Sequence, residues 1–599
     1  MQPTTEILAR ISRNSLANKD EIFTRLYRYM LRPDLYFLAY KNLYANSGAA
    51  TKGANDDTAD GFSEAKIANI IQRLADETYQ PTPARRTYIQ KKNNPKKKRP
   101  LGIPTFTDKL VQEVLRMVLE AVYEPVFLPV SHGFRPKRSC HTALKSLKME
   151  FNGMRWFVEG DIKGCFDNID HSVLVGLIHS KIKDARLIKL IYKFLKAGYL
   201  EDWKYHKTYS GTPQGGIISP LLANIYLHEL DKFVMKLKSE FDTHGQEPVR
   251  TEYRLLSNDL QKLSYHIGRR TGAEREQLLS EYNEKRKLML KMPCTAQTKK
   301  CIKYIRYADD FLIAVNGRRE DCVEIKRKLA EFIGGMLKME LSEEKTLITH
   351  SSERARFLGY DVRVRRSSII KHGGPGKKTK RTLNNSCELS IPFDDKIHSF
   401  IFAKEIAIQK PDGKLMPVRR KSLLRLTDLE IVSAYNAELR GICNYYGIAS
   451  NFYKLCYFSY LMEYSCLKTL ASKHKCTIAK VVEKFKDHYG EWGIPYETKT
   501  GQKRCYFAKY SDCKDKANPT DIVCNAAVEY GYSRTALEQR LKAKVCELCG
   551  TTESDCYEVH HVNKLKNLKG KQAWEVAMIA KRRKTLVVCK KCHVAIHNQ

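Results

Sequence analysis

The sequence lacks a run of about 18 or more apolar residues, which a membrane-spanning helix requires, so we expect no membrane protein. Its first residues, MQPTTEILARISRNS, lack the apolar core of a signal peptide, and no segment recurs at a fixed period. The 18 cysteines lack the regular spacing of a secreted disulfide framework. Together these absences predict a cytoplasmic protein, in a reducing compartment that leaves some thiols for metal.

Negative charge is also scarce. Lys and Arg number 105 against 67 Asp and Glu, a formal net charge of +38. Because the positive charge is clustered and interleaved with aromatic residues, we expect a nucleic-acid partner. The alternative is a protein adapted to an acidic milieu. At 599 residues, 43% hydrophobic and 29% charged, the chain is globular and too long for one core. We expect about three to five domains.

Two adjacent acids lie between apolar runs in IKYIRYADDFLIAVNG, residues 302–317. The alternation predicts two strands joined by a tight turn at Asp309 and Asp310. Like charges at the tip of a half-buried hairpin repel, and a divalent cation would relieve that repulsion. A third acid, Asp161, ends the apolar run WFVEGDI. If the two strands are neighbours, the three carboxylates form the oxygen-rich site that Mg²⁺ prefers.

Six segments occur in the order of the reverse transcriptase motifs: RPLGIPTFTDKLVQ (99–112), DIKGCFDNIDH (161–171), GTPQGGIISPLLANIYL (211–227), YADD (307–310), LSEEKTLI (341–348) and FLGY (357–360). The chain resembles the group II intron-encoded proteins from Met1 to its C-terminus. The resemblance implies a multidomain α+β fold. Its expected parts are right-hand polymerase fingers and palm (1–385), an α-helical thumb or maturase domain (386–480), a small basic DNA-binding region (481–542) and a zinc-stapled ββα-metal HNH nuclease (543–599).

The resemblance also implies roles for the acids. Asp161 and Asp309 would ligate two Mg²⁺ ions, Asp310 would assist, and the carbonyl of Ile162 would be a further ligand. Phe166 falls where reverse transcriptases carry a bulky residue that excludes a ribose 2′-hydroxyl. The alternative is that this ring belongs to the core, as Phe usually does.

By the same resemblance, five residues would contact the incoming nucleotide or the template. They are Lys91, Arg99, Gln214, Gly215 and Lys345. Lys91 and Arg99 fit a triphosphate clamp. Lys345 would give a proton to pyrophosphate, although a surface salt bridge explains it nearly as well. In the thumb, Arg440, Tyr445, Tyr446 and Tyr453 suit RNA stacking and phosphate contact. The alternative there is a helix bundle with buried tyrosines.

Two C-x-x-C pairs stand in the last 60 residues, Cys546 with Cys549 and Cys589 with Cys592. Four cysteines in one small module predict a structural Zn²⁺ site. "CKKCH" alone could indicate haem attachment, but the second pair and the missing export signal argue against it.

The same module contains YEVHH and a pair of histidines spaced i, i+4, a pattern that resembles an HNH endonuclease. The resemblance implies that His560, His593 and His597 hold one Mg²⁺ and that His561 is the general base. The two helical histidines could instead serve zinc. Lys584 stands where the family usually has Asn, and Asn563 could substitute for it.

The implied function is a bacterial, nucleoid-accessible enzyme with three activities. It would copy intron RNA from deoxynucleoside triphosphates by target-primed reverse transcription, promote splicing of its own intron, and nick a double-stranded DNA target to make the primer. One rival hypothesis is a splicing factor with an inactive polymerase core. The other is an RNA-dependent RNA polymerase, which would need neither an aromatic gate nor a DNA-cutting module.

Overall fold

The computed structural model describes residues 4–46, 48–91, 94–201, 204–207, 211, 215–296, 298–367, 369–371, 380–382, 384–498, 501–513 and 536–598. Within these residues, no helix has the length and apolar character needed to cross a bilayer. Side chains of 91 and 94–97 are outside the description, although the strands that contain them are within it.

The first 150 residues are mainly helical. They form α1 (Thr4–Ala17), α2 (Pro33–Tyr44), β1 (Phe62–Ser63), α3 (Glu64–Ala75), β2 (Ala84–Lys91), β3 (Asn94–Ile103), α4 (Phe106–Tyr123) and α5 (Cys140–Glu150). Helix α4 is the buried centre of this region, and its first turn is capped by Thr105, whose hydroxyl accepts the Asp108 N–H. Pro33 begins α2, a position where its missing N–H costs no helical hydrogen bond.

Residues 156–390 combine strands with long helices. They form β4 (Trp156–Asp161), α6 (His171–Lys181), α7 (Ala185–Leu195), β5 (Tyr199–Glu201), β6 (Lys204–His206), α8 (Ser219–Phe241), α9 (Thr251–Ile267), α10 (Gly272–Lys291), β7 (Cys301–Tyr307), β8 (Asp310–Asn316), α11 (Arg319–Gly335), β9 (Ile348–His350), β10 (Ala355–Phe357), β11 (Tyr360–Val364), β12 (Ile370–Lys371), β13 (Lys380–Arg381) and β14 (Cys387–Ser390).

The described residues after 390 form a helical region and a small C-terminal module. Their elements are α12 (His398–Ala403), β15 (Ala407–Gln409), β16 (Leu415–Pro417), α13 (Asp428–Tyr445), α14 (Leu455–Lys473), α15 (Ile478–Phe485), β17 (Gly493–Thr498), β18 (Gly501–Tyr506), α16 (Ala536–Lys542), β19 (Tyr557–His561), α17 (Ala573–Lys581), β20 (Thr585–Cys589) and α18 (Lys590–His597).

An antiparallel sheet in the order β7-β8-β4-β9 divides two hydrophobic cores. Because side chains alternate along a strand, β8 contributes side chains to both cores. Phe311, Ile313 and Val315 face the core that contains α4 and α8. Leu312 and Ala314 face the core that contains α13 and α14. The near-continuous apolar run of β8 is therefore explained by burial on both faces.

The C-terminal module packs on the N-terminal region, far from it in sequence. Strand β1 joins β19 and β20 in one sheet, with Phe62 opposite Val559 and Ser63 opposite Glu558. Phe62 is fully buried and stacks on Tyr40, with ring centroids 4.0 Å apart. The segment 45–63 thus ends in a strand that completes the sheet of another module.

Candidate active sites

The predicted hairpin is confirmed, and its partner strand is β4. Strands β7 and β8 pair in antiparallel register from Cys301 with Asn316 to Tyr307 with Asp310. Strand β4 lies on the other side of β8, with Asp161 directly opposite Asp310. Since opposed residues on antiparallel strands have Cβ atoms about 5 Å apart, the three carboxylates converge at one end of the sheet.

A buried ion pair supports the turn that carries Asp309. Arg306 and Asp231 are both fully buried and meet at 2.6 Å, and the guanidinium also donates to the Ala308 carbonyl at 2.8 Å. This hydrogen bond thereby fixes Ala308, whose φ of 56° is left-handed. A Cβ on Gly133 would lie 2.3 Å from the Ala308 nitrogen, so the turn also needs a glycine beside it.

Electrostatics at the three acids favour a cation. Burial by the cavity walls, followed by the charges of Asp309 and Asp161, raises the pKa of Asp310 to about 7, although its side chain reaches the cavity surface. Burial and the charge of Asp161 also raise the pKa of Asp309, against the opposing charges of Arg99 and Lys345. Such raised values are typical of carboxylates that are crowded together and partly desolvated.

Two further groups adjoin the acids. The Lys345 ammonium lies 2.8 Å from an Asp161 carboxylate oxygen, and this hydrogen bond raises the pKa of the lysine. Ile162 forms a bridge with Leu341, but the bonds run from Lys163 N–H to Glu340 and from Ser342 N–H to Asp161. Neither the N–H nor the carbonyl of Ile162 takes part in this bridge.

A cavity of about 1020 Å³ opens in front of the acids. Its walls include Arg99, Phe166 and Gly215, so the structure brings these candidates together with the acids and Lys345. Phe166 is 9% exposed and meets Phe134 edge-on. At Gly215, with φ of 109°, a Cβ would lie 2.5 Å from the Gly102 carbonyl of β3. Gln214 and the Lys91 side chain lie outside the described residues.

The four candidate zinc cysteines also converge. The Sγ atoms of Cys546, Cys549, Cys589 and Cys592 all lie within 4.8 Å of one another. Cys589 ends β20 and Cys592 lies in the first turn of α18. Against the effect of burial, N–H groups of Cys549, Cys589 and Leu548 lower the pKa of the Cys546 thiol to about 7. A stabilised thiolate is the form that binds Zn²⁺.

A second cluster joins three predicted histidines to an acid that no sequence pattern predicted. His560, His593 and His597 lie with Asp60 in a group whose ligand atoms are all within 4.8 Å. Asp60 precedes β1 and is remote in sequence from the histidines. No local pattern signals this contact, because the pairing of β1 with β19 creates it. His561 is 9% exposed, and burial lowers its pKa.

In the thumb, two of the tyrosines predicted to contact RNA pack against the palm. Tyr446 is 7% exposed, and the hydroxyls of Tyr445 and Tyr446 donate to the carbonyls of Leu358 and Gly359. These hydroxyls join the thumb to the palm, and the burial of Tyr446 favours the helix-bundle alternative for that ring. Arg440 and Tyr453 are exposed.

A row of exposed tyrosines on α14 escaped prediction. Tyr457, Tyr460 and Tyr464 are spaced at helical intervals, and each is more than a third exposed. The rings of Tyr460 and Tyr464 lie 4.5 Å apart. We call Tyr453, Tyr457, Tyr460 and Tyr464 the tyrosine row. The helical spacing of these tyrosines is the signal in the sequence from which the row could have been predicted.

Three family models match the chain. They describe a reverse transcriptase (RNA-dependent DNA polymerase) over residues 89–243 and 285–362, a type II intron maturase over 384–526, and an AI2M/AI1M-like HNH endonuclease over 546–593. The maturase match runs past residue 480 into the region predicted to bind DNA. The fold and these matches define a class of protein in which a reverse transcriptase is joined to a maturase and an HNH endonuclease.

Several relatives are similar over most of the chain. The group II intron-encoded protein LtrA of Lactococcus lactis subsp. cremoris is 66% identical over 594 residues, 99% of each chain. A 91 kDa protein in the cob intron of Schizosaccharomyces pombe is 35% identical, covering 95% of this chain and 69% of its own. Nuclear intron maturase 1 of Arabidopsis thaliana is 26% identical, covering 62% and 56%. The chain belongs to the family of multifunctional group II intron-encoded proteins.

Proposed function

We propose that Asp161, Asp309 and Asp310, with the Ile162 carbonyl, hold two Mg²⁺ ions for RNA-directed DNA synthesis. The observation that supports this most strongly is the pairing of Asp161 with Asp310 at the mouth of the cavity. Their oxygens suit a hard cation, which would also relieve the repulsion among them. When bound, the two ions would activate a primer 3′-hydroxyl and stabilise the pyrophosphate leaving group.

The cavity walls would orient the nucleotide. Arg99 and Lys345 supply positive charge beside the acids, which suits a triphosphate. We assign Lys91 and Gln214 to the same substrate on the resemblance alone. Because the Lys345 ammonium is bonded to Asp161, a bound triphosphate would draw it away from that carboxylate.

Phe166 is our candidate for the gate that selects deoxynucleotides. Its ring lines the same cavity as the three acids and is braced edge-on by Phe134. A rigid ring at this wall would clash with a ribose 2′-hydroxyl. The core alternative accounts for its burial but not for its position at the cavity.

The C-terminal module would nick the DNA target to supply the primer. His561 is buried and its lowered pKa keeps it neutral, which a general base requires. His560, His593 and His597 would hold a divalent cation that polarises the scissile phosphate. The nearby Cys546, Cys549, Cys589 and Cys592 would hold a structural Zn²⁺ that staples β20 and α18 to the preceding turn.

The thumb would bind the intron RNA and assist its splicing. Exposed Tyr453 and Arg440, with the rest of the tyrosine row, offer the stacking faces and charge that single-stranded RNA requires. We propose domain limits at about residues 385, 480 and 542, with the region after 480 contacting DNA. We also propose that the protein works in the cytoplasm, where the nucleoid is accessible.

One experiment tests the polymerase assignment. On an RNA template, Asp309→Ala should abolish primer extension while intron RNA affinity stays near wild type. Asp412→Ala, at an exposed turn between β15 and β16, is the matched loss of a carboxylate and should extend normally. Substantial DNA synthesis by Asp309→Ala would refute the two-metal site.

A second experiment tests the nuclease base. His561→Ala should stop nicking of target DNA and leave splicing assistance intact, because the thumb and the nuclease are separate regions. Persistence of nicking would place the base elsewhere.

A further inference from the structure

The candidate nuclease centre receives a carboxylate from outside its own module. Asp60 Oδ2 lies 2.6 Å from His597 Nε2 and 3.2 Å from His593 Nε2. Its other oxygen, Oδ1, lies 3.2 Å from His560 Nδ1 and accepts the His561 N–H at 2.6 Å. One side chain thus contacts all four histidines of the candidate nuclease centre.

The contacts of 3.2 Å match the spacing of ligands around one cation, and the 2.6 Å between Asp60 Oδ2 and His597 Nε2 is a hydrogen-bond distance. Within the described part of the chain, both ring nitrogens of the buried His560 lack a hydrogen-bond partner, although Nδ1 is within 3.2 Å of Asp60. The Nε2 atoms of His593 and His597 face each other at 3.3 Å. Atoms bound to a shared cation at about 2.1 Å lie roughly 3 to 3.5 Å from one another. A cation at their centre would give the His560 ring the partner that it lacks and would separate the two Nε2 atoms that face each other.

A fourth protein ligand changes what such a centre can do. A catalytic cation keeps a position open for water or substrate, whereas a structural cation has all its positions filled by protein. The module supplies three histidines, and Asp60 would take a further position of a cation that has about six in all, a position that a scissile phosphate oxygen could otherwise use. Like that oxygen, the Asp60 carboxylate is a negatively charged donor.

The surrounding contacts cover the candidate base as well. His561 Nε2 lies 3.2 Å from the Tyr44 backbone carbonyl, and the Tyr44 ring packs edge-on against the imidazole. Because a carbonyl only accepts, Nε2 carries the proton, and the Tyr44 backbone and ring cover this edge of the imidazole. The candidate base and the candidate cation site are therefore both contacted by the same N-terminal region.

The segment is built to hold Asp60 in place. Asp57 accepts the Thr107 N–H at the start of α4, and the Tyr40 hydroxyl donates to the Ala59 carbonyl at 3.0 Å. Gly61 follows with φ of 72°, a conformation that favours glycine, and donates its N–H to the Val559 carbonyl at 3.0 Å. The chain on both sides of Asp60 is thus tied down.

We propose that Asp60 is a fourth ligand of the nuclease cation, and that the segment 48–63 thereby holds the nuclease in a closed form that target DNA must displace. The second part rests on the proposed nuclease function. Because β1 adds only two residues to the sheet, release needs little rearrangement within the module. Nicking would then begin only when DNA competes for the place of Asp60.

The test compares Asp60→Asn with Asp56→Asn in the full-length protein. Asn at 60 keeps an oxygen that can accept the His561 N–H but lacks the carboxylate charge. Asp56 lies in the same segment, is exposed, and forms an ion pair with exposed Lys52, so its change controls for lost charge. The readouts are hydrogen exchange of residues 557–561, with Mn²⁺ or with chelator, and the nicking rate on target DNA.

We expect Mn²⁺ to slow exchange of this strand at least about fivefold in the wild type and in Asp56→Asn, and less than about twofold in Asp60→Asn. Asp60→Asn should also nick DNA at least about threefold faster. Unchanged Mn²⁺ protection in Asp60→Asn would overturn the ligand assignment. Slower nicking by Asp60→Asn would overturn the closed form, because Asp60 would then serve the active centre. If neither the wild type nor either variant nicks DNA, the proposed nuclease function is wrong. The exchange result still tests whether Asp60 is a ligand of the cation.

Discussion

Asp161 lies directly opposite Asp310 across the antiparallel pair β4 and β8, although the two residues are far apart in sequence. Asp309 follows Ala308 in the turn that precedes β8, so three negative charges meet at one sheet edge. A sheet tolerates this arrangement poorly without a counter-charge, since like charges on opposed strands are destabilising. The proposed polymerase chemistry depends on that convergence.

Proton and cation should compete at Asp310. With a pKa of about 7, the carboxyl must lose a proton to accept Mg²⁺ below neutrality. We expect the Mg²⁺ concentration for half-maximal DNA synthesis to fall roughly tenfold per pH unit up to pH 7 and to level off above it. Primer extension at several pH values measures this, and a flat profile between pH 6 and 7 would contradict it.

The same raised pKa has a consequence for stability without cation. A folded-state pKa above the ordinary value gives stability below the ordinary pKa that is lost as pH rises through 7. Asp310→Asn removes that loss, so in chelator at pH 8 its free energy of unfolding should exceed that of wild type by about 1 kcal/mol after solvent screening, and it should unfold at a higher temperature. At pH 4 the two proteins should be nearly equal. A less stable Asp310→Asn at pH 8 would contradict the repulsion.

Phe166→Ala should let the polymerase insert ribonucleotides. The ring lines the cavity beside the acids, and its loss leaves room for a 2′-hydroxyl. We expect the preference for deoxynucleotides to fall by at least about tenfold, the effect of roughly 1.4 kcal/mol. Competition between matched dNTP and NTP in primer extension measures it. Phe134→Ala, which removes the bracing ring but keeps Phe166, should have a smaller effect. An unchanged preference in Phe166→Ala would remove the gate.

Arg306 is expected to act as a positioning residue. Arg306→Met leaves Asp231 buried without its partner, which costs about 3 to 5 kcal/mol, and it frees the Ala308 carbonyl. The double variant Arg306→Met/Asp231→Leu should recover much of the thermal stability, because no charge remains buried. It should still show a lower kcat with little change in KM for dNTP, since the turn is no longer fixed. Full recovery of kcat would show that the pair serves stability alone.

The tyrosine row should contribute to RNA affinity. Tyr460→Ala removes a stacking face, worth about 1 to 3 kcal/mol per base, so affinity for intron RNA should fall by roughly 5- to 150-fold. Tyr192→Ala, an exposed tyrosine on α7, is the control and should bind normally. RNA binding measured at one fixed salt concentration compares them. If Tyr460→Ala binds intron RNA as tightly as wild type, Tyr460 does not contribute to RNA affinity.

Sequence patterns predicted best where the determinants are local. The alternation around Asp309 predicts the hairpin, and the C-x-x-C spacing indicates four thiols that do converge. Patterns failed where distant segments meet. Nothing near Asp60 indicates a histidine cluster, and nothing near Arg306 indicates Asp231. Tyrosine is ambiguous for another reason, because its ring and hydroxyl suit both burial and exposure. The pattern thus assigns Tyr446 to RNA although its ring packs inside.

The most direct test of the two-metal site is a count of Mn²⁺ ions bound to the complex with primer, RNA template and a non-hydrolysable dNTP, read from the free-ion electron paramagnetic resonance signal. Wild type and Asp161→Asn are compared at the Mn²⁺ concentration that saturates wild type. If the three carboxylates share two cations, Asp161→Asn will bind about two fewer ions, because the remaining pair cannot hold them alone. Equal counts with equal affinity would contradict a site built on these three carboxylates.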